Sequence, residues 1–331
     1  MRAKGICRLR RIAATHAATH AATHAATHAT TRACGRRRPH QGADGGPAGA
    51  GGARDCFNWR PFWARSRAGG QKRDAAMTIV QERFSVRRAE SAAELHAAQR
   101  LRYEVFVAEL GGDGPLVDHA ARLERDRFDP YFDHLILTDA ARGGAVVGVY
   151  RVLRDDQAAR AGQFYSEDEY DLTPLRRSGR RLMELGRSCV APQYRDGVAM
   201  YHLWQGLARY VVAHRIEILF GVASFHGTDP QALAQPLSLL HHRHLAPPAL
   251  RVRALERHYQ RMDLLPEAAI DRRAAMRQVP ALIKAYLRLG GCVGEGAFVD
   301  HAFNTTDICL VMDTNRLSQM QKNIYLKGVD G

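Results

Sequence analysis

Residues 182–190 run Leu182-Met183-Glu184-Leu185-Gly186-Arg187-Ser188-Cys189-Val190, an apolar stretch of strand length that nonetheless carries a carboxylate and a guanidinium. Side chains along a strand alternate between faces, so regular alternation places Glu184 and Gly186 on one face and Arg187 and Cys189 on the other. A buried charge without a partner costs several kcal/mol, so two charges this close in a central strand point to a polar site at its end. The strand is followed by a turn, Ala191-Pro192-Gln193-Tyr194-Arg195-Asp196-Gly197, and by a helical run over 198–214. Met200, Leu203, Leu207 and Val211 share one stripe of that helix, which is therefore its buried side. The amides at its start are placed to hold an anion such as a phosphate.

Charge must be divided before it is interpreted. The 331-residue chain is formally +14, but residues 1–76 hold 15 Lys and Arg against 3 Asp and Glu, while residues 77–331 hold 33 against 31. The basic balance belongs to the first segment, and a nucleic-acid partner is not expected for the rest. That segment contains four copies of Ala-Ala-Thr-His ending at His16, His20, His24 and His28, then Gly-, Ala- and Arg-rich sequence. Such composition buries too little apolar surface to offset the entropy of ordering, so residues 1–76 are expected to be a disordered tail. The histidine spacing suits a helix face, but a perfect short repeat reads as replicated sequence and no metal site is expected. An Arg-rich, acid-poor start resembles a transit peptide; the preferred expectation is an upstream mis-assigned start, with Met77 opening a single domain over 77–331.

Within that domain the pattern predicts strands over 84–89, 134–138, 145–153, 182–190, 216–225, 293–299 and 306–312. Helices are predicted over 91–109, with Ser91 as cap, and over 198–214, 231–242, 280–289 and 315–325; residues 165–181 read as a charged loop with a short helix. Strands and helices alternate, with hairpins at front and end. That predicts an α/β protein with a mixed sheet, not a doubly wound nucleotide fold. Of six cysteines, Cys7, Cys34 and Cys56 fall in the tail, and Cys189, Cys292 and Cys309 sit in apolar strand-like segments with no metal-ligand spacing. Buried reduced thiols, and hence a cytoplasmic protein, are expected. No apolar run reaches transmembrane length, so any contact with the inner membrane face is expected to be peripheral.

Four separated charged motifs stand in order: Arg102-Tyr103-Glu104-Val105-Phe106, then Glu124-Arg125-Asp126-Arg127-Phe128-Asp129, Gly148-Val149-Tyr150-Arg151, and Glu184-Leu185-Gly186-Arg187. Their order and approximate spacing resemble those of the acyl-homoserine-lactone synthases, GNAT-type enzymes that move an acyl group from acyl carrier protein to an amine. Three further segments, residues 220–230, 241–247 and 300–307, resemble the L-ornithine Nα-acyltransferases that begin ornithine lipid synthesis. The likeness runs from about 84 to 313 and implies a GNAT-type acyl-N-acyltransferase fold with a splayed central strand.

The implied activity is transfer of a 3-hydroxyacyl group from acyl carrier protein to the α-amine of L-ornithine, giving lyso-ornithine lipid. The alternative is a signal synthase using S-adenosylmethionine as acceptor. Acyl carrier protein and L-ornithine are the implied partners, the donor's phosphopantetheine thioester is the co-substrate, and no bound cofactor is expected. An amine attacks only when neutral; Glu184 is the first candidate to take its proton, or else forms a structural ion pair with Arg187 or Arg151. Backbone amides of the splayed, bulged strand around Arg187 to Val190 are expected to meet the oxyanion, and Arg102 or Arg151 to fork the substrate carboxylate. Asp126 or Asp129 is expected to meet an ammonium or to tie down its own loop. Phe106, Trp204 and Phe225 are expected to line the acyl slot. Arg176, Arg177, Arg180 and Arg181 form a basic cluster suited to docking an acidic carrier. In Tyr194-Arg195-Asp196-Gly197-Val198-Ala199 a tyrosine stands where coenzyme A-binding relatives carry Gln or Arg. Arg195 and Gly197 are therefore assigned to a carrier arm with a single phosphate. His241, His242 and His244 read as a helix end, and Asp300 and His301 as a strand-end turn in preference to an acid–base pair.

Overall fold

The computed structural model describes residues 83–301 and 303–316. The expected tail with its His repeats, Met77 and nearly all of the helix expected over 315–325 lie outside these residues. Among them, β1 (Phe84–Arg88) leads to α1 (Ala92–Arg102), where the Ser91 side chain accepts from the Glu94 amide and Glu94 reaches back to the Ser91 amide. This reciprocal pairing satisfies two otherwise orphaned donors and fixes the helix start. The single helix predicted over 91–109 is α-helical only to Arg102 and continues as a π-helical segment, Tyr103–Glu109, which ends before Gly111 at φ +74°. Such a wide turn shifts side-chain phase, here immediately after Arg102 and at Phe106.

The chain continues through β2 (Asp133–Asp139), β3 (Ala145–Arg154), α2 (Asp155–Ala161), β4 (Tyr170–Asp171), α3 (Thr173–Arg177), β5 (Leu182–Val190), α4 (Val198–Ala213) and β6 (Ile218–His226). It closes through α5 (Ala234–His244), β7 (Arg253–Ala254), β8 (Tyr259–Gln260), α6 (Arg272–Gln278), α7 (Ala281–Arg288), β9 (Cys292–Val293), β10 (Ala297–Asp300) and β11 (Thr305–Asp313). The strand predicted over 293–299 is two strands, because Gly296 at φ +74° breaks it. The long strands are where the apolar runs predicted them; α2, α6, β7 and β8 had no periodic signal long enough to see.

One mixed sheet runs β1-β2-β3-β5-β6-β11-β10-β8, with β9 also on β11. Its neighbours are antiparallel except β5 and β6, which are parallel and pair only from Leu182↔Ile218 to Glu184↔Phe220. Beyond that point the two strands part, which meets the expectation of a splayed central strand. Gly221 sits at the parting: a Cβ there would lie 2.2 Å from the Leu185 carbonyl oxygen. Gly221→Ala is expected to lower stability by about 2–3 kcal/mol, read by urea denaturation, because backbone cannot retreat as a flexible side chain can.

One core cluster joins Ala98 and Leu101 of α1, Leu203 and Leu207 of α4, Leu237 and Leu240 of α5, and Ile283 and Tyr286 of α7 to Val149, Met183 and Leu185 of the sheet. A second holds Phe128, Phe132, Phe164, Tyr170, Leu172 and Leu175 against Leu153, Phe220 and Val311. Cys189 and Cys309 are free and buried, and Cys292 is free and partly buried. None of the described helices is long and apolar enough to cross a membrane.

Candidate active site

The four charged motifs converge. Arg102 ends α1 and is fully buried; its Nη1 donates to Asp129 Oδ1 at 2.8 Å and its other nitrogens pair with Glu124. Arg151 of β3, also fully buried, donates from Nη1 to both Asp129 Oδ1 and Asp126 Oδ2 at 2.7 Å. Arg187 of β5 donates from Nε to Glu124 Oε1 at 3.1 Å and lies 3.8 Å from Asp126 Oδ2. Each carboxylate is thus shared by two guanidiniums, and Arg102, Asp129, Arg151, Asp126, Arg187 and Glu124 form a closed ring of alternating charge. Gln99 Nε2 donates to Asp129 Oδ2 at 2.9 Å, and His134 Nε2 donates to the Asp129 carbonyl at 3.1 Å. Burial opposes ionisation of Glu124, but the charges of Arg187, Arg102 and Arg151 hold it down to about 2. Burial pushes His134 down to about 4, so it is neutral at pH 7.

Regular alternation does not hold at Arg187. The register passes from Val149↔Cys189 to Arg151↔Gly186, so Arg187 and Ser188 together oppose Tyr150, and Arg187 takes φ +49°. This bulge turns Arg187 toward Glu124, Asp126 and the Tyr165 hydroxyl, the last accepting from Nη2 at 3.3 Å. Glu184 meets the same turn, accepting from the Tyr165 and Ser166 amides, each at 2.7 Å, and from the Ser166 hydroxyl. The two charges predicted on opposite faces therefore work on one side. A left-handed arginine costs about 1–3 kcal/mol, and the ion pairs of the ring offset it. Burial pushes Glu184 up to about 7, against the pull of those hydrogen bonds and of Arg151.

A cavity of about 50 Å³ opens where β5 and β6 part, lined by Tyr150, Leu185 to Ser188, Leu219 to Ala223, Leu282, Tyr286 and Met312 among others. It has room for a few waters. Tyr150 and Tyr286 share a hydrogen bond between hydroxyls at its wall, and burial pushes Tyr150 up to about 12, so it stays protonated. Phe106, Trp204 and Phe225, expected to line an acyl slot, are not among the lining residues. Trp204 packs against the Tyr286 ring at 5.2 Å, Phe106 lies 5.9 Å from the Arg187 guanidinium, and Phe225 is core.

The remaining expected residues separate. Arg102 and Arg151, expected to fork a substrate carboxylate, are both engaged within the ring, and so are Asp126 and Asp129. Arg187, its side chain 15% exposed, is the reachable guanidinium of the three. Arg195 pairs with Glu109 at 2.6 Å, and Gly197, at φ +99°, precedes α4, whose first amide donates to Asp196. The helix start expected to hold an anion thus already faces a carboxylate. Arg176 pairs with Glu167 and Arg180 with Asp313, while Arg177, Arg180 and Arg316 line a groove with residues 247–250. Arg181 is exposed and donates to the His214 carbonyl at 3.4 Å. His241, His242 and His244 close α5, and Asp300 caps a turn by accepting from the Phe303 amide at 3.1 Å. Burial pushes Cys189 up to about 12, which removes it as a nucleophile.

Sequence reasoning passed over Glu124, Tyr150, Tyr165 and Ser166. Glu124 and Tyr150 lay within quoted motifs; Tyr165 and Ser166 fell in a charged loop with no periodicity to mark them.

Residues 101–205 match the family described as acetyltransferase (GNAT) domain. A Rhodobacter capsulatus protein named L-ornithine N(alpha)-acyltransferase is 61% identical over 252 residues, covering 75% of this chain and 96% of that protein. One of the same name from Brucella abortus is 44% identical over 248 residues, covering 73% and 88%. Among solved structures, an N-acyl amino acid synthase from uncultured soil microbes is similar with a TM-score of 0.43 and 13% identity, over 72% of this chain and 97% of that one.

Proposed function

We propose, from the premise that this chain belongs to the L-ornithine N(alpha)-acyltransferase family, a mechanism in which donor and acceptor meet across β5 from opposite sides. The protein is an N-acyltransferase acting on the α-amine of L-ornithine. The observation that carries the mechanism is the parting of β5 from β6 after Glu184 and Phe220. It leaves the β6 side of β5 unladdered along a cavity on one side, while the bulge sends Arg187 to the other.

Of the donor, the thioester group alone reaches the cavity, and its carbonyl lies against the backbone of Gly186 to Ser188, whose amides stabilise the developing oxyanion. Arg187, charge-balanced by Glu124 and Asp126 yet reachable, receives the α-carboxylate of ornithine. The neutral α-amine attacks, the nitrogen–carbon bond forms, and the carbon–sulfur bond breaks. Glu184, raised to about 7, takes the amine's proton by way of the Ser166 hydroxyl, which accepts it while passing its own to the carboxylate. Tyr150 gives a proton to the departing thiolate, the role its cavity position and persistent protonation suit. Tyr150→Phe is expected to lower kcat by about 10²-fold with little change in the Michaelis constant for ornithine, measured in steady state; an unchanged kcat removes Tyr150 from the mechanism.

The donor is read as a 3-hydroxyacyl-acyl carrier protein. The groove where Arg177 and Arg316 stand is the basic surface offered to an acidic carrier, since Arg176 is already neutralised by Glu167 and Arg180 by Asp313. The test supplies the protein with radiolabelled ornithine and 3-hydroxyacyl-acyl carrier protein and follows label into the organic phase. Label in a lyso-lipid supports donor and acceptor together. Product formed from S-adenosylmethionine but not from ornithine overturns the reading.

A further inference from the structure

Beside the ring lies a second set of carboxylates that takes no part in it. Glu169, just past the 3-10 turn Tyr165–Asp168, Asp300 at the end of β10 and Asp307 on β11 bring carboxylate oxygens within 4.8 Å of one another. Glu169 is 6% exposed and Asp307 5%, whereas Asp300 is half-buried and forms the open side. Oε2 of Glu169 and Oδ1 of Asp307 are buried without a hydrogen-bond partner, and neither residue makes an ion pair among the described residues. Two close, buried carboxylates that each keep an unpaired oxygen, the Asp307 group meeting only the Ser224 and Thr305 side chains, call for a cation. Burial and neighbouring acids push Glu169 well above the usual carboxylate range, and burial pushes Asp307 up to about 6. The Arg187 charge acts on both without pairing with either.

Resting on the reading above, we propose that Glu169, Asp300 and Asp307 receive the side-chain ammonium of the diamino-acid acceptor and thereby decide which amine is acylated. Arg187 stands beside the cluster, so an acceptor whose carboxylate meets Arg187 carries its side-chain nitrogen toward the acids. An ammonium held among carboxylates stays protonated and has no lone pair to attack with. The α-amine, outside the cluster, is the one free to lose its proton.

The experiment compares ornithine with norvaline, which has the same skeleton without the side-chain amine, using the full chain and 3-hydroxyacyl-acyl carrier protein. Wild type is expected to favour ornithine by about 100-fold or more in kcat/KM, since without the amine the buried acids remain unpaired. Asp307→Asn is expected to shrink that ratio by about tenfold or more, chiefly through the Michaelis constant for ornithine, and to let some product carry the acyl group on the side-chain nitrogen. Asp300→Asn, at the half-buried turn, tests the same ratio in a variant with less packing at stake. An unchanged ratio in both variants overturns the proposal, as does activity abolished by a chelator and restored by a divalent metal. Should wild type acylate no ornithine, the functional reading fails on its own. Calorimetric binding of ornithine to wild type and to Asp307→Asn then still decides the cluster: equal affinity overturns it, and weaker binding to the variant supports it.

Discussion

Replacing Arg102 with Met is expected to lower the unfolding free energy by about 3–5 kcal/mol, the usual cost of breaking a buried ion pair from one side. Arg102 is fully buried, and its loss leaves Glu124 and Asp129 each with one guanidinium instead of two. Arg102→Lys is expected to recover less than half of the loss, because a single ammonium cannot match a fork that reaches both carboxylates. The acid limb of stability changes with it. Folded-state values below the unfolded ones mean that Glu124 and Asp129 contribute stability fully present above about pH 5, which fades as pH falls toward 2. Urea titrations at pH 7 and pH 3 are expected to show a wild-type difference that the variant has partly lost. A wild-type-like curve at both values would mean that the ring contributes nothing to stability.

Glu184→Gln is expected to lower kcat by about 10²–10⁴-fold, within the usual range for removing a group that accepts a proton in the transition state. The pH dependence separates this from a packing defect. Glu184 titrates near 7 and must be ionised to accept, so wild-type kcat/KM is expected to fall as pH drops below about 7. Gln cannot titrate, so the residual activity of the variant is expected to lose that limb. Retention of the limb in a slowed variant would assign Glu184 to holding the Tyr165–Ser166 turn alone.

Much of this site was legible because the charged residues stand in otherwise apolar segments: Glu184 and Arg187 inside β5, Arg151 inside β3, and Arg102 at the buried end of α1. Their mutual engagement was not legible. The ring joins residues 22 to 63 positions apart, and no local rule states which guanidinium takes which acid. Nor does any residue type announce the bulge, since an arginine at positive φ is held by its partners and not by its own preference. The cavity escaped for a related reason. Leu282 and Tyr286 come from α7, about 100 residues after β5, so the aromatic residues named from nearby motifs do not line this cavity. Glu169 sat in a charged loop where one more acid carried no signal.

The ring of three guanidiniums and three carboxylates also shapes how this sequence can change over time. Every member has two partners of opposite sign, so exchanging one neighbouring pair, such as Arg151 with Asp129, sets two like-charge contacts at its flanks. No compensating swap between two positions restores the alternation; only inverting all six does, and every intermediate carries buried like charges. A change of charge at any one of positions 102, 124, 126, 129, 151 and 187 therefore strands two neighbours, and the six can exchange their signs only together.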